Sequence, residues 1–179
     1  MPSENPIITI GHSTRSIAEF ADALRFAQVS LVVDVRTIPK SRRNPQYNES
    51  ALGSELQPYQ IGYTRIAGLG GLRGKSRDVP EEVNAFWKNG SFHNYADYAL
   101  SDEFDASLAE LLELSRTRRC AIMCAEAVWW RCHRRIIADY LLARGETVLH
   151  LMGSDRLDPA RLTPGAKLKA GKVTYPAKT

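Results

Sequence analysis

The chain has 179 residues, of which 44% are hydrophobic and 25% charged, and this is enough for one domain with one hydrophobic core. It contains no run of about 18 apolar residues, so no membrane partner or span is expected, and residues 1–6 lack the features of a secretory signal. Three cysteines fit reduced thiols better than a disulfide framework, so a cytoplasmic location is expected. The net charge of +4 is typical of an ordinary solvated surface.

Strands and helices are predicted to alternate along the first half of the chain. The β-branched run at residues 7–11 predicts a first strand, and a capping pattern beginning at Ser16 predicts a helix. The apolar run at residues 31–35 predicts a strand that is buried on both faces. A short helix over residues 48–57 and a third strand over residues 62–66 follow.

The second half keeps this alternation. The aromatic-rich region 80–101 is interpreted as core packing or a helical lid. A helix capped at Ser101 precedes a buried strand at 120–124. The next helix is predicted to begin near Arg131 or Cys132 and to stop at Gly145, before a last strand at 147–151. The pattern predicts an α/β three-layer sandwich with a mainly parallel sheet, Rossmann-like or rhodanese-like in outline.

The elements suggest a single α/β domain over residues 1–152. Residues 153–179 are rich in lysine, proline and glycine, and we expect them to form a hairpin or an irregular tail. That segment would pack on the domain or trail from it. The oligomeric state is not predicted.

Segment 120–135 concentrates the reactive side chains, because it holds all three cysteines together with Glu126, His133 and three arginines. It joins a strand to a helix, so its polar residues are expected at the carboxyl edge of the sheet, where such folds bind ligands. Cys120 is interpreted as a buried core residue. Cys124 ends its strand and would face amides and guanidinium groups that lower a thiol pKa, which makes it the candidate nucleophile.

Two other loops are expected at the same edge. His12 follows the first strand and could assist as a donor, although a lone histidine is more often structural. Asp34 ends the second strand and needs a partner if it is buried; Arg36 or a backbone amide pair is the nearest candidate. The glycine-rich loop 67–75 has no phosphate-loop pattern, but it lets backbone approach a ligand closely.

These positions predict one composite site with acid–base groups and cations. The catalytic candidates are Cys124, Glu126, His133, His12 and Asp34. The anion-binding candidates are Arg36, Arg73, Arg134 and Ser13. No metal is assigned, because the Cys-x7-Cys-His spacing lacks the tight pairs of structural zinc sites, and the cofactor is left unknown.

Four groups of residues can be compared with known families: Gly11-His12-Ser13, Asp34-Val35-Arg36, Gly70-Gly71-Leu72-Arg73, and Cys124-Ala125-Glu126 followed by Cys132-His133-Arg134. Together they resemble the DUF488 family of small bacterial and archaeal proteins, whose name denotes a domain of unknown function. The resemblance runs from about residue 8 to 152 and implies a single α/β domain in which these motifs converge on one site.

The loop between the last two motifs departs from the family, because it tends to be polar in relatives and here carries Val128, Trp129 and Trp130. Exposed tryptophans there would form a stacking platform or an apolar wall to the site. Buried tryptophans would instead anchor the loop.

The expected function is an enzyme of unassigned reaction that acts on a phosphate-bearing substrate, either a nucleotide or a nucleic acid. One alternative is a non-catalytic nucleic-acid-binding or DNA-repair-accessory protein, whose affinity would depend on Arg42, Arg43 and Lys75. A rhodanese-like sulfur carrier is a further alternative, by analogy of a strand, a cysteine loop and a helix. The substrate, the reaction and the pathway are left open.

Overall fold

The structure is a computed structural model and describes residues 5–178. Most of the N-terminal stretch that was compared with a secretory signal therefore lies outside the described residues. The strands are β1 (Ile7–Gly11), β2 (Leu31–Asp34), β3 (Gly62–Arg65), β4 (Cys120–Cys124), β5 (Val148–Met152), β6 (Arg156–Pro159), β7 (Lys167–Lys169) and β8 (Lys172–Thr174). The α-helices are α1 (Ile17–Phe26), α2 (Glu49–Leu56), α3 (Gly90–Tyr98), α4 (Asp102–Thr117) and α5 (Arg134–Ala143). Within residues 5–178, none of the helices is both long and apolar enough to cross a membrane.

Six strands form a central sheet in the order β3-β2-β4-β1-β5-β6. The pairs from β3 to β5 are parallel, and β6 pairs antiparallel at one edge. Apolar residues of α1 and α2, among them Phe20 and Leu52, pack on one face of the sheet. Residues of α3, α4 and α5, among them Phe104 and Ile136, pack on the other. The predicted α/β three-layer sandwich with a mainly parallel sheet is confirmed.

The strand register aligns the carboxyl ends of β1, β2 and β4. Gly11 pairs with Cys124, and Asp34 pairs with Met123, which directly precedes that cysteine. The loops that follow these three strands therefore start at neighbouring points of one sheet edge. This is the edge at which open parallel sheets form their binding clefts.

The start of α5 differs from the sequence prediction, which put it near Arg131 or Cys132. The helix begins at Arg134, because Trp129–Arg131 first form a separate 3-10 turn. Cys132 follows that turn in an extended conformation, with φ −132° and ψ 153°. The cysteine is thus presented just before the helix rather than inside its first turn.

Part of the segment after β5 packs against the face that carries α5. Val173 and Tyr175 are fully buried, and the Tyr175 hydroxyl donates to Asp139 at 2.7 Å. The β7–β8 hairpin is more open, with Leu168 48% exposed. The division of the chain at residue 152 stays a prediction.

Gly11 lies where the end of β1 meets the loop after β4, and a Cβ there would be 1.7 Å from the carbonyl oxygen of Glu126. Gly11→Ala should therefore lower the free energy of unfolding in urea by about 1–3 kcal/mol or more, because two backbone segments must move apart. Gly74→Ala is the control, since a Cβ there meets nothing within 4 Å, and it should stay within about 0.5 kcal/mol. Equal effects would contradict the close approach.

Candidate functional site

A cavity of about 400 Å³ opens at the carboxyl edge of the sheet, within the range of about 300–1,000 Å³ that is typical of small-molecule sites. Its wall comes from the loops after β1, β2, β3 and β4 and from α3. The predicted site residues that line it are His12, Arg36, Cys124, Glu126 and His133. The predicted residues Asp34, Ser13, Arg73 and Arg134 lie outside the lining.

Asp34 and Arg36 form a buried ion pair beside the cavity. One carboxylate oxygen of Asp34 accepts from the Arg36 amide and Nε at 3.0 and 2.9 Å, and the other accepts from Nη2 at 2.6 Å. The Tyr63 hydroxyl donates to the second oxygen at 2.5 Å. The predicted pairing is confirmed, and these four hydrogen bonds make Asp34 a group that orients Arg36.

Arg36 keeps one nitrogen free of oxygen partners among the described residues. Its Nη2 also donates to the Tyr47 carbonyl at 2.7 Å, whereas Nη1 lies 3.4 Å from Nε2 of His12. Burial alone would lower the pKa of Arg36, but the hydrogen bonds and charge of Asp34 outweigh burial and raise it. Arg36 is therefore a charged group on the cavity wall whose Nη1 can receive an anion.

His12 is held as a neutral ring. It stacks on Tyr47 with centroids 4.1 Å apart, and its Nδ1 lies 2.8 Å from the Ser13 carbonyl, to which it donates. Burial lowers the pKa of His12 to about 4. Nε2 is then an acceptor that faces Arg36, so His12 positions that guanidinium more directly than it could protonate a ligand.

Cys124 and Cys132 bring their sulfur atoms to within 2.7 Å of each other, and both are free thiols on the cavity wall. Arg134 lies behind them, fully buried, with its Nε 3.1 Å from Cys124 Sγ and its amide 3.4 Å from Cys132 Sγ. Its Nη1 donates to the Thr9 hydroxyl at 3.2 Å, and its Nη2 donates to the Glu126 carbonyl at 2.7 Å. Arg134 therefore interacts with the two sulfurs and not with a ligand in the cavity.

The two thiols have opposite proton affinities. Burial raises the pKa of Cys132, but the thiol of Cys124, together with the charge and amide of Arg134, outweighs burial and lowers it to about 7. Burial and the negative charge of its neighbour raise the pKa of Cys124 well above its ordinary value. Cys132 thus carries the thiolate, and Cys124 keeps a proton that it donates to the sulfur of Cys132.

His133 presents a basic nitrogen to Cys132. Its Nε2 lies 2.6 Å from the Val35 carbonyl and must donate there, so Nδ1 is the unprotonated nitrogen, 3.5 Å from Cys132 Sγ. Burial lowers the pKa of His133, which keeps the ring neutral. A Cβ at Gly71 would lie 2.5 Å from this Nδ1, so the glycine loop makes room for the ring.

Glu126 is exposed at the cavity, and its carboxylate has no hydrogen-bond partner among the described residues. The two tryptophans of the same loop differ in burial. Trp129 is half-buried and stacks on His150 with centroids 4.4 Å apart, so it anchors the loop. Trp130 is 44% exposed and meets Trp129 edge-on, and neither ring lines the cavity.

Arg73 stabilises the glycine loop instead of lining the cavity. Its Nε donates to Gly70 and its Nη2 to Ala67, both to carbonyl oxygens at 3.1 and 3.0 Å. Its guanidinium carbon lies 3.7 Å from the centroid of Tyr98. Ser13, with a positive φ of 50°, bonds through its amide to the Ala125 carbonyl at 3.1 Å and shapes the turn after β1.

Among the charged and thiol side chains of the lining, three were missed as site residues by sequence reasoning. Lys40 and Arg131 are exposed cations at the cavity, and both lie in strand-to-helix loops, which was the available signal. Cys132 was considered only as a metal ligand. Because α5 was predicted to start too early, the position of Cys132 beside His133 and the amide of Arg134 was not recognised.

The thiol pair and His133 bring two sulfurs and an imidazole close together, a combination that could suggest a metal site. Across residues 5–178, no three or more histidine, cysteine or carboxylate side chains form a group that could hold a metal ion. The two sulfurs instead share a proton, and Nε2 of His133 is occupied by the Val35 carbonyl.

In a comparison with protein families, the family model described as "Domain of unknown function DUF488" matches residues 16–141. The matched region includes the Asp34–Arg36 pair and the whole segment from Cys124 to Arg134. It is narrower than the expected range of 8–152, and Gly11-His12-Ser13 lies outside it. No curated protein and no solved structure matches the chain.

Alkylation of Cys132 by iodoacetamide should rise with pH through a midpoint near 7, because the thiolate is the reactive form and its pKa is about 7. Cys124→Ala should move the midpoint upward, since it removes a hydrogen bond to the thiolate. Peptide-resolved mass spectrometry measures the rates, and Cys120→Ala, in the core, should leave the midpoint unchanged. A wild-type midpoint near the free-cysteine value of about 8.5 would contradict the assignment.

Asp34→Asn should cost about 3–5 kcal/mol of unfolding free energy, because it leaves the buried charge of Arg36 unpaired. Urea denaturation measures the change. Glu113→Gln, in an exposed ion pair with Arg116, is the matched control and should cost about 0–1 kcal/mol. If both substitutions lowered the free energy of unfolding by the same small amount, the buried Asp34–Arg36 pair would not be the stabilising interaction that its geometry indicates.

Proposed function

The chain belongs to the DUF488 family, and we propose that it is a cysteine-dependent enzyme acting on a small substrate with an anionic group, phosphate being the group that the sequence favours. The observation that carries the proposal is the environment of Cys132. Its sulfur lies on a cavity wall, in contact with a second thiol, a backbone amide and a histidine nitrogen.

Cys132 is the nucleophile in this proposal. A thiolate is the reactive form of cysteine, and nearby hydrogen-bond donors with a positive charge make it available at neutral pH. His133 acts as the base and later as the acid, because its Nδ1 is unprotonated and faces the sulfur. Cys124, the nucleophile expected from the sequence, becomes the partner that holds a proton against the thiolate.

The charges on the cavity wall favour an anionic substrate. Arg36, Lys40 and Arg131 line the cavity together with Glu126. Because Arg36 is already neutralised in part by Asp34, the two exposed cations supply most of the attraction. Glu126 faces the same space and could exchange a proton with the substrate, as the sequence predicts.

The cavity also offers apolar contacts. Ile38 and Leu72 are 61% and 64% exposed, and both belong to the lining, as do Phe92 and Tyr95. An apolar surface next to cations suits a substrate that joins a flat or aliphatic part to an anionic group. A nucleotide meets this description.

A nucleic-acid-binding protein is the second candidate. Arg42 and Arg43 are exposed on the same loop as Lys40, so a phosphate backbone could lie across the mouth of the cavity. Binding of that kind would weaken steeply with salt and would not need Cys132. The sulfur-carrier alternative uses the same thiolate and differs in the group that it would accept.

Adenosine monophosphate should slow the alkylation of Cys132 by iodoacetamide, because the bound nucleotide covers the thiolate. Lys40→Ala/Arg131→Ala should raise the half-protecting concentration about tenfold, since two exposed ion pairs of about 0.2–1 kcal/mol each are lost and about 1.4 kcal/mol in total is a factor of ten. Arg42→Ala/Arg43→Ala is the charge-matched control and should protect like the wild type. The second candidate would be favoured by a different result, in which adenosine monophosphate protects neither the wild type nor any variant and Arg42→Ala/Arg43→Ala abolishes oligonucleotide binding.

A further inference from the structure

We propose that Cys124 and Cys132 form a dithiol–disulfide couple that reduces small anionic disulfides, with Cys132 as the attacking sulfur and Cys124 as the resolving sulfur. This inference rests on the proposed role of Cys132 as nucleophile. The juxtaposition that carries it is the contact of two free thiols, 2.7 Å between sulfur atoms, on the wall of an open cavity.

The two sulfurs are placed for bond formation. A disulfide bond measures about 2.03–2.05 Å, so the atoms need to approach by less than about 1 Å. They are carried by different segments, Cys124 by the end of β4 and Cys132 by the extended residue before α5. The link can therefore form and break while β4 and α5 keep their positions.

The surroundings give the two sulfurs different tasks. Cys132 accepts hydrogen bonds from the amide of Arg134 and the thiol of Cys124, and the unprotonated Nδ1 of His133 lies nearby, where it can accept the thiol proton. A thiolate whose pKa is near the ambient pH is the most effective attacking thiol, because it is both populated and nucleophilic. Cys124 instead keeps its proton until the first step is complete.

The reaction balances with the disulfide as oxidant. The Cys132 thiolate attacks one sulfur of R–S–S–R, a bond forms between them, the substrate S–S bond breaks, and R–S⁻ leaves. Cys124 gives its proton to that leaving thiolate, and its sulfur then attacks Cys132 Sγ, which releases the second R–S⁻ to take a proton from solvent. The substrate is reduced to two thiols and the protein dithiol is oxidised to a disulfide, which a second thiol reductant returns to the dithiol.

Arg134 is placed for both steps. Its Nε lies 3.1 Å from Cys124 Sγ, the sulfur that becomes a thiolate in the second step, and its amide faces Cys132 Sγ. The negative charge therefore moves between two sulfurs that share one cation. Thr9 and the Glu126 carbonyl hold that guanidinium in place.

The cavity selects the class of disulfide. Lys40 and Arg131 are exposed cations on its wall, so carboxylates or phosphates on the substrate would be drawn to its mouth. A cavity of about 400 Å³ can admit part of a small molecule but is too small for a folded protein. Oxidised glutathione, a disulfide with several carboxylates, is the probe for this class.

To test the couple, the reduced 179-residue chain is incubated with oxidised glutathione, the reaction is quenched with acid, and the products are mapped by mass spectrometry. The wild type should become two hydrogen atoms lighter, with a Cys124–Cys132 link, and should release two glutathione thiols per chain. Cys124→Ser should accumulate glutathione on Cys132 and release one. Cys132→Ser should react at least tenfold more slowly, and Cys120→Ser should match the wild type.

The other outcomes separate the two proposals. If the wild type stops at glutathione bound to Cys132, the couple is overturned and the nucleophile stands. If Cys132 reacts with neither glutathione nor iodoacetamide, the proposed function falls as well. Glutathione on Cys124 in Cys132→Ser at the wild-type rate would overturn the assigned order, and the wild-type measurements decide the main question even if a variant fails to fold.

Discussion

The buried guanidinium of Arg134 is the constraint on which the site depends. It is fully buried, and its contacts among residues 5–178 are a hydroxyl, a carbonyl and sulfur, with no carboxylate within ion-pair distance. A buried cation without a counter-charge is costly. A thiolate on Cys132 removes much of that cost, so the stability of the cation and the reactivity of the thiol are two aspects of one interaction.

A second buried arginine is treated differently, and the contrast explains the division of labour in the cavity. Arg36 is neutralised by the carboxylate of Asp34 and so can stiffen the loop after β2 without perturbing the thiols. Behind Arg134, the Thr9 hydroxyl accepts from its Nη1 and also lies 2.6 Å from Nδ1 of His150. Burial lowers the pKa of His150 to about 4, which keeps a second positive charge away from Arg134.

The sequence predicted what depends on local pattern and strand order. The alternating apolar runs predict the parallel sheet, and residues two positions apart at a strand end made the Asp34–Arg36 pair foreseeable. The thiol contact was not foreseeable, because it depends on a 3-10 turn at Trp129–Arg131 that helical periodicity does not reveal. The role of Arg73 in stabilising the glycine loop was not foreseeable either, because its hydrogen bonds to backbone carbonyls cannot be recognised from residue types.

The glycines of the motifs support the site by the space they leave rather than by contact with a ligand. The missing side chain of Gly11 lets the Glu126 carbonyl come close to β1, and that carbonyl is one of the acceptors that fix Arg134. The missing side chain of Gly71 admits the ring of His133, whose Nδ1 faces Cys132. The absence of side chains at Gly11 and Gly71 thus allows Arg134 and His133, the two polar partners of the thiols, to take their positions. The loops that carry these glycines therefore contribute to the chemistry of the cysteines.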